Sequence, residues 1–171
     1  MPTTEDRDLR VAVVGTGRMG ANHAERLAGA TQRASVSALV DVDADRAGAT
    51  AAAVNDLQGG TVPVFDTIEQ VLANDAADAV VLVTPGHLHE QALIQLIEAG
   101  IPVLCEKPLT PGADSARRVL EAEQHAGHRT IQVGFHRRFD NEYIKLKQII
   151  DSGHMGELLM LHFQHRNPAA P

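Results

Sequence analysis

Residues 10–20 read RVAVVGTGRMG. An apolar run, Val11 through Val14, breaks at Gly15-x-Gly17-x-x-Gly20 and passes into residues 19–27, where apolar side chains recur at helical spacing. That is the layout of a strand, a tight turn and a helix. The glycines have a chemical reading, because a dinucleotide's pyrophosphate lies against the backbone and accepts bonds from free N–H groups where a helix starts. Gly15 permits the turn, Gly17 leaves out a Cβ that would block the phosphate, and Gly20 lets helix and strand pack closely. The pattern alone also suits a turn that binds nothing. A strand before it and a helix after it are the context that makes it a dinucleotide fingerprint.

Working outward, Met19, Ala24, Leu27 and Ala28 fall on one helical face, and Gly29 suits a helix stop. A second strand reads from 34 to 40 and ends in Asp41, 21 residues beyond Gly20. An acid at that distance accepts bonds from the adenosine ribose hydroxyls and repels a 2′-phosphate, which points to NAD over NADP. Arg46 is the competing signal, since a guanidinium could reach such a phosphate. Asp41 could also cap the next helix, a role open to Asp43 as well.

The rest of the chain repeats the alternation. Residues 44–54 are Ala-rich and helical by propensity. After Gly59-Gly60, residues 62–65 read as a short strand and 67–73 as a helix that Asp66 or Thr67 could cap. Residues 79–83, AVVLV, form a continuous apolar run, as in a parallel strand covered on both faces. His89, Ala92, Leu93, Leu96 and Ile97 make one stripe of a helix that stops at Gly100. A strand over 102–105, a helix over 113–125 and a strand over 130–133 follow. About six strands alternating with helices predict a doubly wound α/β sheet over residues 9–134. Its ligands lie beyond the carboxyl ends of the strands. Residues 1–9 read as a disordered lead. After Gly134 the character changes to FHRRFD, a helix over 141–150 with Tyr143, Leu146 and Ile150 inward, and a strand-like stretch over 158–165 closed by RNPAAP.

Composition narrows the function classes. The 44% hydrophobic content fills a core, while 3% aromatic residues, net charge −7 and no basic run argue against nucleic acid. The opening residues are polar where a secretory signal needs an apolar stretch, and no apolar run approaches the roughly 18 residues that span a bilayer. The expectation is a cytoplasmic chain with no membrane partner. One cysteine, Cys105, excludes an internal disulfide and reads as a buried strand-end residue rather than a nucleophile. The pairs His87/His89, His125/His128 and His162/His165 lack the converging third and fourth ligands that zinc requires, so no metal is expected.

Beyond the glycine turn, the chemistry concentrates in Glu106-Lys107-Pro108 at the end of a strand. A lysine at the mouth of a nucleotide site can orient a hydroxyl or carbonyl oxygen, stabilise negative charge on it and relay a proton. His136 stands where the sixth strand ends, so it either faces the nicotinamide or is exposed. Arg137 and Arg138 either meet a substrate or cofactor or pair with acids.

The stretches VAVVGTGRMGANHAERL, TPGHLH, VLCEKPLT and QVGFHRRFDNEYIKLKQIIDSGHMGEL, with the closing RNPAAP, resemble the Gfo/Idh/MocA oxidoreductases, and the later stretch most resembles the inositol 2-dehydrogenase branch. The resemblance covers nearly all of the chain after residue 9. It implies a Rossmann-type domain over 9–134, followed over 135–171 by only the start of an α+β substrate and oligomerisation domain. It implies hydride transfer between a nicotinamide cofactor and a sugar, inositol or related polyol, in a homo-oligomer if the full domain is present. In such a protein Gly15, Gly17, Arg18, Met19 and Gly20 hold the pyrophosphate and Asp41 the ribose. Thr84, Pro85 and His89 line the cofactor cleft, and Glu106 bonds near the nicotinamide ribose or amide. Lys107 touches cofactor and substrate, with its bond to Pro108 cis. Gly86 departs from the pattern, since relatives often carry a polar side chain there. Relatives also continue into an open antiparallel sheet that supplies an Asp and a His as proton relay, and the chain reaches Pro171 before any such motif. The expectation is therefore a cofactor half with the threshold of a substrate half, Lys107 alone facing the proton, and an exposed apolar surface on residues 141–165. A non-catalytic NAD-binding or regulatory module is the alternative.

Overall fold

A computed structural model describes residues 7–164 and 166. Strand β1 (Leu9–Val14) leads through the glycine turn into helix α1 (Arg18–Ala30) and back along β2 (Ala34–Val40). The pattern repeats through α2 (Ala44–Gln58), β3 (Val64–Phe65), α3 (Ile68–Ala73), β4 (Ala79–Leu82), α4 (His89–Glu98), β5 (Val103–Cys105), α5 (Ala113–Ala126) and β6 (Ile131–Val133). The six strands form one sheet in the order β3-β2-β1-β4-β5-β6, every neighbouring pair parallel. The order reverses between β1 and β4, which opens a crevice at their carboxyl ends.

Alternation along the strands divides the core into two layers. Ala12, Val14, Val80, Leu82, Val103 and Cys105 face α3, α4 and α5 through Ile68, Val71, Leu93, Leu96 and Val119. Val11, Val13 and Val81 face α1 and α2 through Ala24, Ala51 and Val54. In β2 the register to β1 shifts between Val11 and Ala12, so that Val11 pairs with Val36 but Ala12 pairs with Ala38. Ser37 is the extra residue of this bulge, and beyond it Leu39 faces one layer while Ala38 and Val40 face the other. Burying Leu39, Leu82, Leu93 and Leu96 completely is worth about 1.5–3 kcal/mol each.

Several local expectations are corrected. Helix α1 continues through Gly29 to Ala30, because Leu57 packs 3.4 Å from where a Gly29 Cβ would stand and the α1–α2 contact carries the helix on. Met19 is exposed rather than inward, and Gly20 and Ala24 are the buried positions of α1. Helix α2 runs on past Val54 to Gln58, where Gly59 takes φ 76°. The lead is ordered from Arg7, whose guanidinium pairs with Asp78, and β1 begins at Leu9; residues 1–6 lie outside the described residues.

From Phe135 onward the chain forms a second compact unit. A 3-10 turn over His136–Phe139 precedes α6 (Asn141–Asp151), whose start is capped by Asp140 accepting from the Glu142 and Tyr143 amides. Tyr143, Leu146 and Ile150 are its half-buried stripe, as expected, and Phe163 stacks on Tyr143 at 5.8 Å. The strand expected over 158–165 is absent among the described residues: 158–164 carry no regular structure, and His165 lies outside them. A strand needs a hydrogen-bonded neighbour, and no described segment pairs with this one. The expected exposed apolar surface is present, with Leu159 88% and Met160 85% accessible.

Candidate functional site

The carboxyl ends of β1, β2, β4 and β5 are joined by direct contacts. Gly15 takes φ +93°, and its N–H donates to the Val40 carbonyl at 2.7 Å, tying β1 to β2. A Cβ on Gly15 would stand 2.9 Å from the Thr84 amide nitrogen, so only glycine lets β1 pass this close to the end of β4.

Helix α1 starts at Gly17 with φ −60°, no side chain capping it and no acidic residue in its first turn. Its first N–H groups are therefore open to a ligand, and the helix dipole adds positive potential there. A Cβ on Gly17 would meet nothing within 4 Å, which leaves a clear approach to those groups. Arg18 and Met19 beside it are exposed. Gly20 serves packing instead: a Cβ there would stand 1.8 Å from the Gly15 carbonyl oxygen.

Asp41 is more engaged than its sequence position suggests. Its Oδ2 accepts from the Thr16 N–H (2.7 Å), the Thr16 hydroxyl (2.8 Å) and Arg46 Nε (3.1 Å). Its Oδ1 accepts from the Asp43 N–H (3.0 Å) and Arg46 Nη2 (2.7 Å). Burial of the carboxylate opposes ionisation, but the bonds from Arg46, Asp43 and Thr16 outweigh it and hold the group well below the usual carboxylate range. The cap of α2 is Asp43, which accepts from the Arg46 N–H.

At the end of β4, Thr84 presents a buried hydroxyl with no hydrogen-bond partner. His89 does not line the cleft: it is 1% exposed, with Nε2 2.7 Å from the Thr84 carbonyl oxygen and Nδ1 2.9 Å from that of Pro108. Its place on the inner stripe of α4 puts the ring between two loops, with a backbone carbonyl of each within hydrogen-bond distance of one ring nitrogen. His89 thus ties the β4 end to the loop carrying Lys107. Pro85 is exposed, and Gly86 packs on Pro108, whose Cγ would lie 3.4 Å from a Cβ at residue 86. The absent side chain at Gly86 is accommodated by that packing.

After β5, Glu106 Oε1 accepts from His23 Nε2 at 3.0 Å, and its Oε2 accepts from the Lys107 N–H at 3.2 Å. Lys107 is exposed, and the Lys107–Pro108 bond is cis. Cys105 is fully buried, and burial together with the neighbouring Glu106 pushes its thiol up to about 12. Of the remaining candidates, His136 and Arg137 belong to the second unit. His136 is exposed, and Arg137 lies over the Tyr143 ring at 4.9 Å and 3.4 Å from Asp140. Among the described residues no three His, Cys, Asp or Glu side chains converge as a metal site, and no helix is long and apolar enough to cross a membrane.

Two contributors escaped sequence reasoning, Thr16 and His23. Thr16 lies inside the glycine turn, where only the glycines carried a signal. His23 stands three residues beyond Gly20, hence on the same face of α1. That spacing was visible, whereas its partner 83 positions away was not.

Comparison with known proteins agrees with this geometry. The chain is 52% identical over 163 residues to the inositol 2-dehydrogenase of Arthrobacter sp. (strain FB24), covering 95% of this chain and 47% of that protein. It spans about half the length of the curated relatives it matches. Among solved structures it superposes with a TM-score of 0.81 and 32% identity on myo-inositol dehydrogenase from Lactobacillus casei in complex with NAD(H) and myo-inositol, covering 87% of this chain and 43% of that one. The WlbA dehydrogenase from Bordetella pertussis, in complex with NADH and UDP-GlcNAcA, is also similar, at TM-score 0.75 and 30% identity, with 91% and 42% covered. Residues 9–135 match the model of the oxidoreductase family with an NAD-binding Rossmann fold, GFO_IDH_MocA, and the chain belongs to that family.

Proposed function

We propose that this chain is the cofactor-binding portion of an NAD-dependent dehydrogenase that moves a hydride between nicotinamide and an inositol, sugar or related polyol. The observation that carries the reading is the uncapped start of α1 at Gly17, which follows the turn where Gly15 meets the Thr84 backbone, with α1 tied to the Glu106-Lys107 loop by His23. These residues fit the cofactor: free backbone donors at a helix start suit a pyrophosphate. The similarity to dehydrogenases of inositol supports the substrate class.

Each residue then has a defined task. The N–H groups of Arg18, Met19 and Gly20 bind the pyrophosphate, with Gly15 and Gly17 shaping its approach. Asp41 faces the adenosine ribose, which favours NAD over NADP. Thr84 and Pro85 line the cleft, His89 and Pro108 position its wall, and Glu106 reaches the nicotinamide ribose or amide. The bound nicotinamide supplies the hydride acceptor. Lys107 Nζ orients the substrate oxygen, stabilises charge on it and moves its proton. His136 and Arg137, in residues 135–171, contribute to the substrate side. That unit is the beginning of a substrate and oligomerisation domain, and its exposed apolar surface is the face such a domain covers.

Titrating the purified chain with NADH while following nicotinamide fluorescence tests the reading. The expected result is saturable binding, and no change at millimolar NADH overturns it. A search for turnover with myo-inositol and NAD then separates chemistry from binding. Turnover lost in Lys107→Ala supports the catalytic assignment. Turnover by the parent chain overturns the alternative, a module that binds the cofactor without reacting.

A further inference from the structure

Glu106 follows β5 directly, and its place is set from three sides. Its backbone N–H donates to the Leu82 carbonyl at 2.9 Å, which ties the residue to the end of β4. Its side chain lies against the end of β6, where a Cβ on Gly134 would stand 3.5 Å from Cδ and Oε1. The third constraint comes from α1: His23 Nε2 stands 3.0 Å from Oε1 and is the one side-chain donor to Glu106 among the described residues. An ionised carboxylate only accepts, so the proton of this contact sits on Nε2. The other oxygen, Oε2, takes the Lys107 N–H at 3.2 Å, an amide of the same loop. The His23 side chain is 25% accessible and that of Glu106 19%, so the bond is partly screened from water and counts for more than one at a free surface.

The donor also stands on a helix whose place is set. Gly20, on the same face three residues earlier, packs so closely on the turn that a Cβ there would meet the Gly15 carbonyl oxygen at 1.8 Å, and Ala24 beside His23 is fully buried. Without His23, Glu106 keeps only the amide of its own loop, and its side-chain torsions are free to turn. With it, two donors fill two of about four acceptor sites, so about two lone pairs stay open in a fixed direction.

We propose that His23 is the positioning residue of Glu106: its Nε2–H, delivered from α1, fixes the carboxylate so that the remaining lone pairs are presented to the nicotinamide half of the cofactor. This rests on the cofactor reading given above and deepens it. The consequence is selective. The pyrophosphate is served by backbone donors at the start of α1, which do not depend on the His23 side chain, whereas the nicotinamide end depends on it through Glu106.

Calorimetric titrations of the full chain with NADH and with ADP, which lacks the nicotinamide and its ribose, test the assignment. His23→Leu is expected to weaken NADH by about tenfold, the loss of one hydrogen bond to a charged group, and to leave ADP within about twofold of the parent. His23→Gln, whose amide nitrogen reaches as far as Nε2, should restore NADH to within about threefold of the parent, while His23→Asn, whose amide stops at the Nδ1 position, should not. In a Glu106→Ala background the same His23→Leu change should leave NADH affinity within about twofold. NADH affinity unchanged within about twofold in His23→Leu alone overturns the proposal. So does an equal loss for NADH and ADP, which makes His23 a structural tether only. If His23→Leu unfolds, the Gln and Asn variants carry the comparison, and equal NADH affinities for the two overturn it. No NADH binding by the parent overturns the cofactor reading itself, a result distinct from any difference between NADH and ADP.

Discussion

Replacing Gly20 with alanine separates the packing role of the glycine turn from its binding role. The added Cβ would stand 1.8 Å from the Gly15 carbonyl oxygen and 2.8 Å from its carbon. Ordinary contact begins at 3.4 Å, so helix and turn must part by roughly 3.4 − 1.8 = 1.6 Å, and both clashing atoms are backbone. Forcing such a gap belongs at the upper end of the overpacking range, about 3 kcal/mol. Alanine's helix preference returns about 1 kcal/mol of that. A net loss of about 2 kcal/mol lowers the melting temperature by about 6 °C in a domain of this size. Gly17→Ala is the matched comparison. Its Cβ meets nothing within 4 Å and its φ of −60° suits any residue, so only the weaker cap preference is lost, about 1 kcal/mol or less. NADH affinity should nevertheless fall at least about tenfold, since the methyl occupies the path of the pyrophosphate. Circular-dichroism melts and NADH titrations on both variants read the two effects. Gly20→Ala melting at or above the parent temperature, or Gly17→Ala destabilising as much as Gly20→Ala, would refute the reasoning.

Two further outcomes follow from the charges and the thiol. Asp78 accepts from Arg7 and Arg10, and these bonds hold its carboxyl well below the usual range. A folded value below the unfolded one means the stabilisation is complete above the unfolded pKa and drains as pH falls through the folded value. Urea midpoints should therefore decline from about pH 5 downward, and the gap between the parent and Asp78→Asn should narrow over the same interval. A gap that stays constant to the lowest accessible pH contradicts the assignment. Asp41 contributes in the same direction, through Arg46, Asp43 and Thr16. For Cys105, fully buried and with its thiol pushed up to about 12, a disulfide-exchange reagent at neutral pH should leave the folded chain untouched and label one thiol per chain on unfolding. Rapid labelling of the folded chain would mean that β5 opens readily.

Legibility in the sequence followed the range of the interactions. The AVVLV run, the stripe from His89 to Ile97 and the glycine turn are patterns a few residues long, and the sheet, α4 and the strand–turn–helix unit appear where they point. The inward stripe of α6 was legible for the same reason. His89 lay on that readable stripe, yet its inner neighbours, the Thr84 and Pro108 carbonyls, are set by how two loops approach, and it became a clamp rather than a cleft wall. Residues 158–164 had the composition of a strand, but composition supplies no partner to bond with, and the segment stays irregular.

By itself, then, the sequence determined the doubly wound sheet, the place of its crevice and the glycine turn that opens α1. Those depend on periodicity and on backbone freedom, which neighbouring residues carry locally. Only the tertiary structure decided that Asp41 is enclosed by Thr16, Asp43 and Arg46, that His23 meets Glu106, and that His89 is sealed between loops. Thr16 and Asp41 are 25 positions apart, and His23 and Glu106 83, so it is the packing of β2, β1, β4 and β5 side by side that brings each pair within hydrogen-bond reach. The charge presented at the end of β2 is set by which side chains can bond there, and no spacing along the chain encodes that.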